Sequence, residues 1–320
     1  MSYLLTNASA MTALQNLTMT QNSLANTQEQ LSTGLSVNSS EDNTSYWSIA
    51  TTMGSDNGAL GTVSAALTQN ASLLSSFNSA ITQAISVVNN IKDDLVSAQN
   101  TADPTKLAQI QTDISGQQNS LMQIVSGASY NGQNWLNGTV NGVSSTASNG
   151  AQGVESLVGN YTNSGGVGYI SVAASAMNLV TSTSSSVTGV SGGILATTQS
   201  NASSANSGGY AVLGSGSIVA LASTTAQSSI ANMLESVNLT IASLETAAAT
   251  VGDAQEQVTT QQTFVSSMQN NLANGVASLI DANMNQVSTR LQALQTQQQL
   301  GVQSLSIANQ SSQMILKLFQ

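Results

Sequence analysis

Apolar residues recur at alternating intervals of three and four positions along both ends of this 320-residue chain. An average spacing of 3.5 residues is the seam of a coiled coil, because it keeps one face of each helix against its partner. A Gly- and Ser-rich middle separates the two patterned ends. We therefore expect long packed helices that are built from both ends of the chain.

The first seam lies within residues 1–35 and carries two glutamines, the kind of polar insertion that fixes helix register. Gly34 and the polar stretch 38–43 end it. Its predicted members either form the core of a monomeric helical bundle or form a coiled-coil seam that serves polymerisation; they are Leu14, Leu17, Gln21, Leu24, Gln28, Leu31 and Leu35.

A longer seam follows over residues 57–100, and Pro104 marks its end because proline disfavours helix in the residue before it. A third helical pattern then runs to about residue 124. We expect this long seam to supply the core of a helical rod. Its predicted core members are Leu60, Val63, Leu67, Leu74, Phe77, Ile81, Val88, Ile91 and Leu95.

The C-terminal part mirrors this arrangement. A rod-core seam is predicted at Ile230, Leu234, Val237, Ile241 and Leu244. A last seam follows Gly275 and includes small and polar residues, which implies a close helix partner. Its predicted coiled-coil and polymerisation members are Leu291, Leu294, Gln298, Leu305, Ala308 and Ile315.

Residues 138–225 hold 15 of the 25 glycines and one charged residue, Glu155. Two short β-forming runs, 156–161 and 169–173, predict a hairpin, and residues 210–221 could form a second strand pair. The predicted fold class is mainly α: a long helical bundle or coiled-coil rod formed by both chain ends, with a small β-hairpin-rich central insert.

The scarcity of charged residues, together with the lack of His and Cys, excludes several classes of function. The chain has 4 Lys+Arg, 14 Asp+Glu, no His and no Cys. Ser–His–Asp and Cys–His catalysis and the usual zinc sites are excluded, and four cations cannot neutralise a nucleic acid. The pairs Glu41-Asp42 and Asp93-Asp94 are interpreted as solvated helix-end charge. We predict no catalytic, metal or cofactor site, and a surface suited to packing against copies of itself.

Neither a signal peptide nor a membrane-spanning run is predicted, since polar residues interrupt the apolar ones throughout. A cytosolic protein would fit, and so would one exported without cleavage.

Strings at both ends are similar to one known family. Residues 9–17 and 31–39 resemble the N-terminal signature of bacterial flagellins, and residues 42–53 resemble the short flagellins of alphaproteobacteria. Residues 129–138 are similar to the family's Phe-Asn-Gly hairpin entry, and residues 288–310 to its C-terminal signature. Two long motifs in the right order at opposite ends make chance a poor explanation.

The chain departs from the family at two positions. Gln30-Leu31 stands where the family usually has Arg before an Ile, and Gly54 stands where Arg is common. The salt bridges made by those arginines cannot be carried over.

The resemblance implies three domains: residues 1–45 with 280–320 as the inner filament tube, 46–137 with 226–279 as a helical rod, and 138–225 as a solvent-facing insert. It implies a structural subunit that polymerises into the bacterial flagellar filament used for swimming motility, exported by a type III route to the cell exterior. A hook–filament junction (hook-associated) protein and a secreted adhesin-like coiled-coil protein are the alternatives.

The implied partners are further copies of the chain, an export chaperone with the type III export apparatus, and the filament cap and hook-associated proteins. An O-linked glycan on the central insert is also expected from the resemblance. No cofactor, nucleic acid or membrane insertion is expected.

Overall fold

The computed structural model describes residues 7–137, 139–140, 143–144, 154–162, 165–180, 192–197, 210–213, 221 and 227–318. Most of this range is helical, and its strands lie between the third and fourth helices. The helices are α1 (Ala8–Thr33), α2 (Thr44–Gln99), α3 (Pro104–Gly127), α4 (Gln227–Ile280) and α5 (Met284–Leu318). The strands are β1 (Thr139–Val140), β2 (Val143–Ser144), β3 (Val154–Thr162) and β4 (Gly166–Ala173). The expected mainly α fold with a β-hairpin insert is confirmed.

The chain forms two compact units. The first, here called the arm unit, comprises Met1–Gly58 and Met268–Gln320. The second, here called the central unit, comprises Ala59–Ser267.

Local chemistry sets the helix ends. The Asn7 side chain accepts a hydrogen bond from the Ala10 N–H at 3.1 Å and so begins α1. Gly34 ends it with φ 75°, a left-handed conformation that favours glycine. Asp103 caps α3 and Pro104 lies in its first turn, which confirms the predicted break there. Unlike the predicted 57–100 segment, α2 begins at Thr44.

The core of the central unit is built from apolar stripes on α2, α3 and α4. Every predicted rod-core residue of α2 is buried, from Leu60 at 4% exposed to Leu95 at 0%. On α4, Ile230, Val237 and Leu244 are buried, whereas Leu234 and Ile241 are half-buried. The buried stripe of α4 runs through Ile230, Met233, Val237, Thr240, Leu244, Ala247, Val251, Ala254 and Val258.

Trp135 anchors the junction that follows α3. Its ring is fully buried and lies 5.2 Å from the Phe77 ring, centroid to centroid. The preceding turn places Asn131 and Gly132 at positive φ, as an Asn-Gly turn requires. The other tryptophan, Trp47 in α2, is 40% exposed.

A backbone ladder organises the described part of the insert next to this junction. Hydrogen bonds link Leu179 to Leu136 at 2.9 Å, Leu195 to Leu179 at 2.9 Å and Leu213 to Leu195 at 2.7 Å. All four leucine side chains are fully buried. The insert therefore has an apolar core of its own that joins the helices through Leu136.

Strands β3 and β4 form the predicted hairpin, an antiparallel pair with a register shift between Val158 and Asn160. The second strand pair expected at 210–221 lies mostly outside the described residues.

Candidate assembly surface

Helices α1 and α5 form an antiparallel pair within the arm unit. Near one end, the Asn7 side-chain amide donates to the Ala308 carbonyl at 2.9 Å. At the other end, Leu35 and Asp281 form an antiparallel bridge. The helices approach closely at Gly301, where a Cβ atom would lie 3.2 Å from Leu17 Cδ1. This matches the close partner that the small residues of the last seam imply.

The seam of α5 turns inward in this pair. Its buried or half-buried positions are Val287, Leu291, Leu294, Gln298, Gly301, Leu305 and Ala308. They alternate in steps of four and three, as a coiled-coil face does. The side chain of Ile315, the remaining predicted member, lies outside the described residues.

The seam of α1 is split between two faces. Leu17, Leu24, Leu31 and Leu35 are half-buried, whereas Leu14, Gln21 and Gln28 are exposed. The intervening inward positions are instead Ala13, Thr20 and Thr27. The two threonines satisfy their hydroxyls within the helix: Thr27 Oγ1 donates to the Ser23 carbonyl at 2.7 Å and Thr20 Oγ1 to the Asn16 carbonyl at 2.9 Å.

Large apolar side chains remain uncovered on both helices of the pair. The exposed fractions are Met11 63%, Leu14 54%, Met19 54%, Leu300 59%, Val302 54% and Ile307 67%. No charged residue occurs between residues 8 and 28. We call these six residues the outer arm residues. A helix pair with few charges and uncovered apolar groups is a surface on which a further helix can pack at little desolvation cost.

A joint connects the arm helices to α2 and α4. The Ser36 N–H donates to the Ile280 carbonyl at 2.6 Å, and the Ala282 N–H donates to the Gly34 carbonyl at 2.8 Å. The chain is non-helical both after α1 and before α5, and backbone hydrogen bonds join these two stretches to each other.

Asp42 orders the loop that follows this joint. Its Oδ2 atom accepts the Asn38 N–H at 2.9 Å and the Ser39 N–H at 3.1 Å. These two bonds favour the ionised carboxylate and hold the pKa of Asp42 below its usual value.

Polar side chains of α2 and α3 bind backbone groups of the segment between α3 and α4. Gln118 Nε2 donates to the Val212 carbonyl at 2.9 Å, and Asn70 Nδ2 donates to the Val158 carbonyl at 3.2 Å. Gln111 Oε1 accepts the Leu221 N–H. Sequence reasoning did not assign this role to the amides, although the position of Asn70 on an otherwise apolar seam was a usable signal.

Two carboxyl groups of the central unit have raised pKa values. Burial raises the pKa of Asp94, and the charges of Asp113 and Asp93 add to this, while a 2.9 Å hydrogen bond from Gln117 opposes it. Burial alone raises the pKa of Glu155. An open groove of about 510 Å³ between Ile170 and residues 253–261 contains the carboxylates of Asp253 and Glu256.

Within the described parts of the chain, no three acidic side chains gather closely enough to hold a metal ion. Nor is any helix in those parts both long and apolar enough to cross a membrane.

Comparison with known proteins accounts for this architecture. Residues 4–141 match the family described as the bacterial flagellin N-terminal helical region, and residues 234–319 match the bacterial flagellin C-terminal helical region. The chain belongs to the bacterial flagellin family. Members of this family are structural subunits of the flagellar filament, so the function expected from the resemblance is confirmed at this level.

Similar proteins cover this flagellin completely. A flagellin of Brucella melitensis is 38% identical over the full length of both chains. Flagellin C of Rhizobium meliloti is 37% identical, and a flagellin A from the same species is 32% identical, each again over the full length of both chains.

Proposed function

We propose that this flagellin polymerises through its arm unit into the filament of an extracellular bacterial flagellum that drives swimming. The observation that carries the proposal is the outer arm residues, six large apolar side chains left uncovered on an antiparallel helix pair. The predicted seam residue Leu14 is one of these six, and the predicted seam residues Gln21 and Gln28 also lie exposed on α1 and would face neighbouring subunits.

The sparse burial of side chains in the α1–α5 pair favours assembly with further copies. The pair buries few of the side chains that the structure describes: Thr27 on α1, and Val287 and Leu294 on α5 as far as Gln310. Each Å² of apolar surface that a neighbour covers contributes roughly 25 cal/mol. Assembly therefore adds stability to helices that the isolated subunit holds weakly.

We also propose a division into three layers. Residues 1–45 with 280–320 would line the inner tube, 46–137 with 226–279 would form the rod, and 138–225 would face solvent. The interruption of both arms at Gly34 and Asp281 supports the first boundary. The span between the two family matches, 142–233, supports the extent of the insert.

The same reasoning extends to partners. An export chaperone, the type III export apparatus, and the cap and hook-associated proteins would handle the chain before and during assembly. An O-linked glycan on the insert is a further proposal, supported by its richness in Ser and Thr. Intact mass of the secreted chain tests the glycan, because a mass equal to the 32.5 kDa of the sequence would rule it out.

Truncation tests the polymerisation proposal. A chain lacking residues 1–35 should form no filaments in negative-stain electron microscopy, while its thermal unfolding still reports a folded central unit. The matched control is Tyr169→Ser, which removes a 61% exposed ring from the insert and should leave filament growth unchanged. Normal filaments from the truncated chain would contradict the mechanism, and short rings or caps from the full chain would favour the hook-associated alternative.

A further inference from the structure

The described methionine side chains differ in solvent exposure between the two units. In the arm unit, Met11, Met19, Met284 and Met268 are 63%, 54%, 43% and 37% exposed, and Met53 is half-buried. In the central unit, Met122, Met177 and Met233 are 8%, 0% and 4% exposed. Among the methionine side chains that the structure describes, every accessible one therefore belongs to the unit that is proposed to assemble.

The thioether is also the most readily oxidised group on this surface. The chain has no Cys and no His, so no thiol competes for a peroxide. A peroxide transfers one oxygen atom to the sulfur of methionine: the O–O bond breaks, an S–O bond forms, the sulfur gives up two electrons, and water leaves. The product, methionine sulfoxide, is polar, and sulfoxide reductases return it to the thioether with electrons from a dithiol.

We propose that Met11 and Met19 are oxidation sites whose sulfoxide forms block addition of the subunit to a second copy of the chain. The inference rests on the proposed polymerisation through the arm unit and adds a redox control to it. Both side chains lie on α1 outside its inward face, within a segment that has no charged residue.

The physical reason is the cost of covering the oxidised side chain. A thioether is apolar and flexible, so it fits a neighbour's surface without a hydrogen-bond partner. A sulfoxide oxygen is a strong acceptor, and burying it without a donor is unfavourable. Oxidation before assembly therefore weakens the contact, whereas a sulfur already covered in a filament is protected from the oxidant.

Peroxide treatment of the purified full-length monomer tests the first half of the proposal. Peptide mass spectrometry should show sulfoxide at Met11 and Met19 forming at least roughly tenfold faster than at Met177, following exposure. Light scattering should then show slower filament growth, and treatment with a methionine sulfoxide reductase should restore it. Unchanged growth of a chain that is oxidised at both positions would overturn the proposal.

A pair of variants assigns the effect to these residues. The double variant Met11→Leu/Met19→Leu should assemble at the same rate before and after peroxide. The matched control Met122→Leu, altered at a buried methionine of the central unit, should remain peroxide-sensitive. Loss of assembly in the oxidised double variant would place the damage elsewhere and contradict the proposal.

A protection measurement needs no variant. Sulfoxide formation at Met11 and Met19 should be at least roughly fivefold slower in filaments than in monomers, because covered sulfurs react slowly. Equal rates in the two states would show that neither sulfur is covered by a neighbour. Filaments would still have formed in that experiment, so the polymerisation proposal would survive while this one failed.

Discussion

Gly301 lies on the inward face of α5, opposite Leu17 of α1. An added Cβ atom there would lie 3.2 Å from Leu17 Cδ1, so the Leu17 side chain must move to make room for a larger residue. We expect Gly301→Leu to destabilise the α1–α5 pair by about 1–3 kcal/mol through overpacking. Helix content by circular dichroism and filament growth by light scattering should both fall.

Gly54 is the matched control for this substitution. It lies in α2 within the same unit, is exposed, and has open space around it. Gly54→Leu should therefore retain helix content, because only helix propensity changes, and in the favourable direction. Equal losses in the two variants would show that close packing at Gly301 is unimportant.

Asp94 and Asp42 should give pH dependences of opposite sign. The pKa of Asp94 is raised in the folded chain by burial, so its contribution to stability falls as the pH rises through the acid range. The pKa of Asp42 is lowered by two backbone N–H donors, so its contribution is present above the usual carboxyl pKa and is lost as the pH falls.

Urea unfolding between about pH 3 and pH 7 measures both slopes. Asp94→Asn should raise the stability at neutral pH relative to the parent chain, since a partly buried charge is removed and Gln117 can still donate to the amide oxygen. Asp42→Asn should lower it there, because a neutral oxygen accepts the two N–H groups less strongly. Shifts of the same sign in both variants would contradict these assignments.

At the scale of elements, the spacing of apolar residues predicted where the helices lie. It predicted which side chains face inward on some helices and not on others. On α2 the predicted apolar seam from Leu60 to Leu95 is buried throughout, so the apolar spacing and the buried face coincide. On α5 the predicted seam also faces inward, but it includes Gln298, Gly301 and Ala308, whereas larger apolar side chains of the same helix are exposed. On α1, the spacing argument selected Leu14, whereas the smaller Ala13 and the threonines Thr20 and Thr27 turn inward. From sequence alone, leucine is a better candidate for a buried position than threonine. The hydrogen bonds from the threonine hydroxyl to a backbone carbonyl, which allow threonine to face inward, form only in the folded helix.

Small residues also occupy inward positions on α4. Thr240 and Ala247 occupy inward positions, and the larger Ile241 is half-buried beside Thr240. The insert was harder to predict for a different reason. Its ladder joins Leu136, Leu179, Leu195 and Leu213, and contacts between residues so distant in sequence leave no local periodicity.

The attachment of the insert to α3 gives an element-scale prediction. Gln118 is 3% exposed and donates to the Val212 carbonyl at 2.9 Å. Gln118→Leu should cost about 1–3 kcal/mol in the free energy of unfolding, because a buried carbonyl loses its donor. Urea unfolding measures this, and the adjacent exposed residue provides the control Asn119→Leu, which should change little. Equal effects of the two substitutions would show that the amide does not hold the insert.

At the scale of the whole molecule, the low charge shapes how subunits meet. The chain has 18 charged residues, 4 Lys+Arg and 14 Asp+Glu, and the helix α1 has a single one, Glu29. Amides, hydroxyls and apolar groups make up the other side chains of α1. Electrostatic attraction and repulsion between copies are therefore weak, and burial of apolar surface is the main driving force for assembly.

This composition predicts that sodium chloride affects assembly weakly. Between about 50 and 500 mM, the rate of filament growth should change by less than about threefold, because screening acts only on charges that face one another. The control variant Gln21→Glu/Gln28→Glu places two acidic groups on the exposed side of α1. Its growth should be slow at low salt and recover as screening removes the repulsion between copies. Loss of filaments from the parent chain in moderate salt would mean that ion pairs hold the subunits together, and apolar burial would then no longer be the main driving force.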